Sequence, residues 1–210
     1  MKKLFGFSLL ELNIVLVILG LILATTLPLL TIQMDLSDYT ESKKDLAEIK
    51  EALLGYVQIN GSLPCPDTTG DGVADSCANT NVTVSTEGSV PWLTLAVNAK
   101  DPWGRTYQYR VNNGYTGIFP LTTTGSGSGI IKICADALCQ KTEASNVPFV
   151  IYSKGRNGGI PSLRSDEIEN ADLDGVFVYH EPVQNGFDDL LVWVSNNVLM
   201  NRMVSIGKLP

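Results

Sequence analysis

Histidine is nearly absent from this 210-residue chain; His180 is the only one. That argues against a His-rich metal centre and against a Ser-His-Asp enzyme with histidines to spare. Positive charge is also scarce. Fifteen Lys and Arg face 22 Asp and Glu, for a net charge of −7. A nucleic-acid binder needs a basic face to neutralise phosphates, so nucleic acid is not expected as a main partner. There is no C-x-x-C pair, and no P-loop or GxGxxG follows a strand-like run. The string Thr122–Gly129 places Gly127 where a G-x-S-x-G elbow needs its serine. His180 ends a strand-like run beside Glu181 and Pro182, as surface strand ends do. No enzyme signal rises above background. Disorder is excluded as well, because 44% of the residues are apolar.

Charge is missing altogether from residues 12–34, LNIVLVILGLILATTLPLLTIQM, a run of 23. About 20 apolar residues cross a bilayer as a helix. A cleaved secretory signal has a shorter apolar region, about 7–15 residues, ending at small residues, and no A-x-A site ends this one. Lys2 and Lys3 keep the N-terminus cytoplasmic by the positive-inside rule, which puts everything after about residue 34 outside the cytoplasm. Glu11 sits at the head of the run. A carboxylate within a membrane segment costs on the order of 2.5–3.5 kcal/mol or more without a partner, so it demands a function.

The local string is Gly6-Phe7-Ser8-Leu9-Leu10-Glu11, behind a short basic leader. It resembles the prepilin signal shared by type IV pilins and the pseudopilins of type II secretion. The resemblance implies a membrane peptidase that cuts after Gly6 and methylates the new terminus at Phe7. It also implies that Glu11 neutralises the Phe7 amine of an adjacent subunit, pairing two charges that are each costly alone in a low-dielectric setting. The partners implied are the prepilin peptidase/methylase, other pilin or pseudopilin subunits, an inner-membrane assembly platform and the membrane. The expected localisation is a single inner-membrane pass with a periplasmic domain, then a periplasmic or extracellular filament.

The expected organisation is a leader over 1–6, a membrane or filament-core helix over 7–34, an amphipathic helical half over 35–60 and a globular β domain over 61–210. Pro28 reads as a kink rather than a helix end, because helical periodicity resumes beyond it. Leu36, Tyr39, Leu46, Ile49, Leu53, Tyr56 and Val57 mark an apolar face. Asp38, Glu41, Lys44, Asp45, Glu48 and Lys50 fall on the other side. Asn60-Gly61 and then Pro64 supply the stop. Beyond it, 106–111, 130–134, 147–153, 175–180 and 189–195 read as strands, and 196–208 as a short closing helix. Strands after one long helix predict an α+β fold with an antiparallel sheet, the pilin fold in the family named.

The four cysteines all lie in the compartment expected to be oxidising, and an even count there reads as disulfides. Of three pairings, Cys65–Cys77 and Cys134–Cys139 are favoured because they close short local loops. Between the first pair, Asp67, Thr69, Asp71, Val73 and Asp75 take the first, third, fifth, seventh and ninth places of an EF-hand-like loop, with Gly72 at the sixth. The twelfth place is Ala78, so the closing carboxylate is missing. A calcium loop and a turn-rich loop held by its disulfide both remain open.

Asp101-Pro102-Trp103-Gly104-Arg105-Thr106-Tyr107-Gln108-Tyr109 resembles the D-P-W-G-x-x-Y-x-Y stretch of major type II pseudopilins. There the resemblance implies a later S-x-G-x-D-G turn and an acidic, calcium-binding loop. This chain has Ser153-Lys154-Gly155-Arg156-Asn157-Gly158, with Asn157 in the place of the acid. An acidic run over 165–175 and the pair Asp188-Asp189 follow. Trimming six residues leaves 204, long for a major pseudopilin, so a minor or specialised pilin or pseudopilin subunit is expected. The rival reading is an extracytoplasmic calcium-binding module or enzyme on an uncleaved anchor.

Overall fold

The computed structural model describes residues 8–77, 87–120, 122–123, 130–158, 165–183 and 186–207, with the side chains of 25–33 excepted. Gly6 and Phe7 lie outside that set. The chain divides into two compact units, 1–40 and 41–210.

Helix α1 (Leu9–Asn60) runs through Pro28, which rules out a helix end there. In the first unit every described side chain from Leu9 to Leu23 is exposed. Among the described residues no helix is long and apolar enough to cross a membrane. The membrane-spanning assignment of 7–34 is therefore not carried by them; the uncharged run continues through 25–33. Leu36, expected on an apolar face, is exposed. In the second unit α1 buries Leu46, Ile49, Leu53, Leu54 and Val57. It stops where expected: Gly61 takes φ +75° and its N–H returns to the Val57 carbonyl at 2.8 Å. Glycine suits that left-handed position because it has no Cβ to clash.

Asp45 corrects the amphipathic reading. It is buried rather than solvent-facing, and its Oδ2 accepts from Tyr107 Oη (3.2 Å) and Asn98 Nδ2 (3.1 Å). Two donors from elsewhere in the chain make a helical carboxylate tolerable inside.

The remaining elements are β1 (Glu87–Ser89), α2 (Trp92–Leu95), β2 (Gln108–Val111), a 3-10 turn (Asn113–Tyr115), β3 (Ile131–Cys134), β4 (Thr142–Val147), β5 (Phe149–Ser153), α3 (Ser165–Glu169), β6 (Val176–Val178), β7 (Leu190–Val194) and α4 (Asn196–Ser205). One sheet has the order β1-β2-β5-β7 and is antiparallel throughout. The other has the order β4-β3-β6, and its β3–β6 pair is parallel. The expected antiparallel sheet is thus joined by a mixed one. A parallel pair needs a long crossover, supplied here by β4, β5 and α3.

The run 147–153 is not one strand. Pro148 has no N–H for a ladder, so Val147 closes β4 in one sheet and Phe149 opens β5 in the other. Val150, Tyr152 and Leu191 of the first sheet share a core with Ile131, Ile133, Val147 and Phe177 of the second. Tyr107 and Tyr109, on the opposite face of β2 and its approach, are fully buried, and Tyr107 meets Asp45 of α1. The four-stranded sheet therefore has residues 41–60 of α1 on one face and the second sheet on the other.

Candidate functional site

Three regions hold the residues singled out in the sequence. At the head of α1, Ser8 and Glu11 form a helix-capping pair. Ser8 Oγ accepts from the Leu10 N–H (3.3 Å), and Ser8 N–H donates to Glu11 Oε2 at 3.4 Å. This is an N-cap with the Glu11 arm of an S-x-x-E capping box, the Ser8 hydroxyl taking the second helical N–H rather than the third, and it is a local role for Glu11 that the sequence reading overlooked.

The second region is the loop closed by the Cys65–Cys77 disulfide, with Cα atoms 5.8 Å apart. The other bridge joins Cys134 and Cys139, at 5.0 Å. Asp67 is only 1% exposed and turns inward. Its Oδ1 accepts from Thr69 N–H (3.0 Å), Thr69 Oγ1 (3.2 Å) and Gly70 N–H (2.7 Å), and its Oδ2 from Gly72 N–H (2.8 Å). Burial raises the carboxyl's pKa, but those hydrogen bonds outweigh it and hold Asp67 below the ordinary 3.8. Asp71 is spent on Val73 N–H (2.8 Å) and Asp75 on Thr68 N–H (2.7 Å).

The five residues of the expected calcium loop, Asp67, Thr69, Asp71, Val73 and Asp75, are thus brought into one turn system. Their carboxylates do not converge. Among the described residues the acidic oxygens that gather within 4.8 Å belong to Glu169, Asp172 and Asp174. The Asp67 carboxylate shapes the backbone of its own loop. Changing Asp67 to Asn would set an amide N–H₂ against backbone donors. That variant is expected to lose about 1–3 kcal/mol in denaturant unfolding at neutral pH.

The third region lies behind the D-P-W-G turn. Asp101 N–H donates to the Arg105 carbonyl (2.8 Å), and Asp101 Oδ1 accepts from the Arg105 N–H (2.8 Å). Asp101 Oδ2 accepts from Ser153 Oγ (2.7 Å) at the end of β5. Arg105 reaches on, donating to the carbonyls of Gly155 (2.7 Å) and Arg156 (3.1 Å). Asn157 N–H donates to Asp188 Oδ2 (2.9 Å), and Asn157 Nδ2 to both oxygens of Glu167 (3.1 and 3.2 Å). Asp188 N–H also donates to Glu167 (3.1 Å). Asn170 clamps β6 through Val178 N–H (2.7 Å) and holds Asp189 Oδ2 at 2.7 Å.

Glu167, Asp188 and Asp189 are at most 9% exposed. Burial raises Asp188, helped by Glu167 and opposed by hydrogen bonds from Asn157 and Arg156. Burial pushes Asp189 up to about 7; Asn170 works against the rise, and the charges of Glu167 and Asp188 add to it. Asp189 also lines a cavity of about 270 Å³ with Lys43 and His180. His180 faces Asp166 (3.3 Å) and stacks on Phe187, with ring centroids 3.9 Å apart.

A buried ion pair was not legible in the sequence. Arg110 Nη1 meets Glu87 Oε2 at 2.8 Å and the Leu173 carbonyl at 2.7 Å, and Tyr152 Oη donates to Glu87 Oε1 at 2.6 Å. The charged residue in the apolar string 106–111 was its one visible signal.

The chain is 29% identical over 131 residues to the type II secretion system core protein G of Vibrio cholerae serotype O1, covering 61% of this chain and 87% of that protein. The family described as type II secretion system (T2SS), protein G, matches residues 30–129. Both similarities support the pseudopilin family that the prepilin-like head resembles. The residues matched by the family include α1 from residue 30 onward, the Asp67 loop and the D-P-W-G turn. The acidic cluster at Glu167, Asp188 and Asp189 lies beyond them. No solved structure gives a significant match.

Proposed function

We propose that this chain is a pseudopilin, a structural subunit of a type II secretion filament, minor rather than major, with a scaffold role and no chemistry of its own. In this reading the precursor is inserted with its N-terminus in the cytoplasm, trimmed after Gly6 and methylated on Phe7. The helix then leaves the inner membrane for the filament core, and the domain from 61 onward faces the periplasm. The two disulfides accord with that oxidising compartment.

The observation that carries the reading is the head of α1. From Leu9 to Leu23 its described side chains are exposed on every face, and Glu11 is the one charge among them. A helix apolar all round needs lipid or neighbouring helices to cover it. A carboxylate there needs a cation, which the Phe7 amine of a neighbouring subunit supplies.

Mass analysis of the mature N-terminus tests this. A start at methylated Phe7 is expected, and an intact Met1-Lys2-Lys3 would refute it. Glu11→Val is expected to be trimmed normally yet enter filaments poorly, by roughly tenfold if the pair contributes about 1.4 kcal/mol. The capping contact with Ser8 is separable: Ser8→Ala weakens the cap alone and is expected to leave incorporation near normal.

A further inference from the structure

We infer that the acidic cluster behind the D-P-W-G turn closes without a metal, its cation replaced by Arg105 and the side-chain amide of Asn157. The resemblance to major pseudopilins implies a calcium loop after an S-x-G-x-D-G turn. Among the described residues the donor set does not fit one. Calcium takes six to eight oxygens, carboxylates and backbone carbonyls among them. Here the carbonyls of Gly155 and Arg156 already receive the Arg105 guanidinium. Both oxygens of Glu167 receive the Asn157 amide, and Asp188 Oδ2 receives the Asn157 N–H. Asp189 is held by Asn170.

One buried oxygen, Asp188 Oδ1, lacks a hydrogen-bond partner. It is sealed against Gly155, where a Cβ would come within 2.6 Å of it at φ +59°. A single orphan oxygen closed off by backbone does not make a cation site.

Asn157 is the residue that decides the chemistry. Its side-chain amide donates to Glu167, where an aspartate could only repel. An acid there would set three carboxylates around one turn, and only a hard cation or protons could hold them. The inference concerns the folded domain and stands whether or not the chain enters a filament.

The test uses the full chain in detergent. Thermal unfolding of the wild type is followed in EDTA and in millimolar calcium, alongside Asn157→Asp. The wild-type melting temperature is expected to differ by less than about 1 °C between the two, as it must if calcium does not bind the folded state selectively. Asn157→Asp is expected to melt several degrees lower in EDTA and to recover when calcium is added. Amide exchange of residues 155–157 and 188 in the wild type gives a second readout, expected to be unchanged by EDTA. A wild-type loss of several degrees on chelation, or faster exchange there, overturns the inference. So does an Asn157→Asp variant indifferent to calcium; if that variant fails to fold, the two wild-type measurements decide.

Discussion

Arg110→Ala is expected to cost about 3–5 kcal/mol of folding stability, the loss typical of breaking a buried ion pair by removing one partner. Arg110 and Glu87 are each 6% exposed. The guanidinium is the counter-charge of a carboxylate that also accepts from Tyr152 Oη, and it ties the Leu173 carbonyl ahead of β6 to β2. Alanine removes the cation and both hydrogen bonds while Glu87 stays inside. Replacing both partners, Arg110→Met with Glu87→Leu, is expected to cost clearly less than Arg110→Ala, because no charge is then left in the core. Denaturant midpoints of the variants measure the difference. An Arg110→Ala loss below about 1 kcal/mol, the range of an exposed pair, would contradict the buried geometry.

Stability is expected to fall as pH rises from about 4 to about 7, and Asp189→Asn is expected to remove much of that fall. The sign follows from the direction of the shift. Asp189 binds its proton up to about pH 7 when folded and releases it near 3.8 when unfolded. Between those values the folded state holds the extra proton, so raising the pH favours unfolding. Above about pH 7 both states are ionised and the slope from this group ends. Three units at 1.36 kcal/mol each set an upper bound of about 4 kcal/mol, so the neutral variant is expected to gain on the order of 2–4 kcal/mol at pH 8 and little at pH 4. Asp188 is raised as well and adds slope in the same direction. Asparagine can still accept from Asn170 through its carbonyl. Melting temperatures of both proteins at pH 5 and pH 8 check this. Parallel shifts in the two proteins would locate the titration elsewhere.

The two effects share a cause. In each, a charge sits inside because partners from distant parts of the chain reach it. Glu87 lies on β1, Arg110 on β2 and Tyr152 on β5. Asp189 precedes β7 and is held by Asn170, which follows α3. No window of sequence contains such a set, and a single Glu or Asp near a strand reads as a turn residue until the sheet is assembled. Asp45 is the same case on a helix. By periodicity it belongs to the solvent side, and only Tyr107 and Asn98 bring it in.

What the sequence determined by itself is what local chemistry decides. The apolar run and the 3.6-residue pattern imply one long helix, and Asn60-Gly61 ends it within a residue of the observed bound. β-branched and aromatic strings mark the centres of β2, β3, β5, β6 and β7, and short separations select the two disulfides. The prepilin-like head and the D-P-W-G turn point to the family. Tertiary structure alone decided the split at Pro148, the polar edge strand β4, the parallel β3–β6 pair and the inward turn of Asp67. It also decided the meeting of Asn157 with Glu167 and Asp188. The reason is that burial and hydrogen-bond partnership belong to pairs of residues far apart in the chain, while helix caps, turns and apolar periodicity are written within a few consecutive positions.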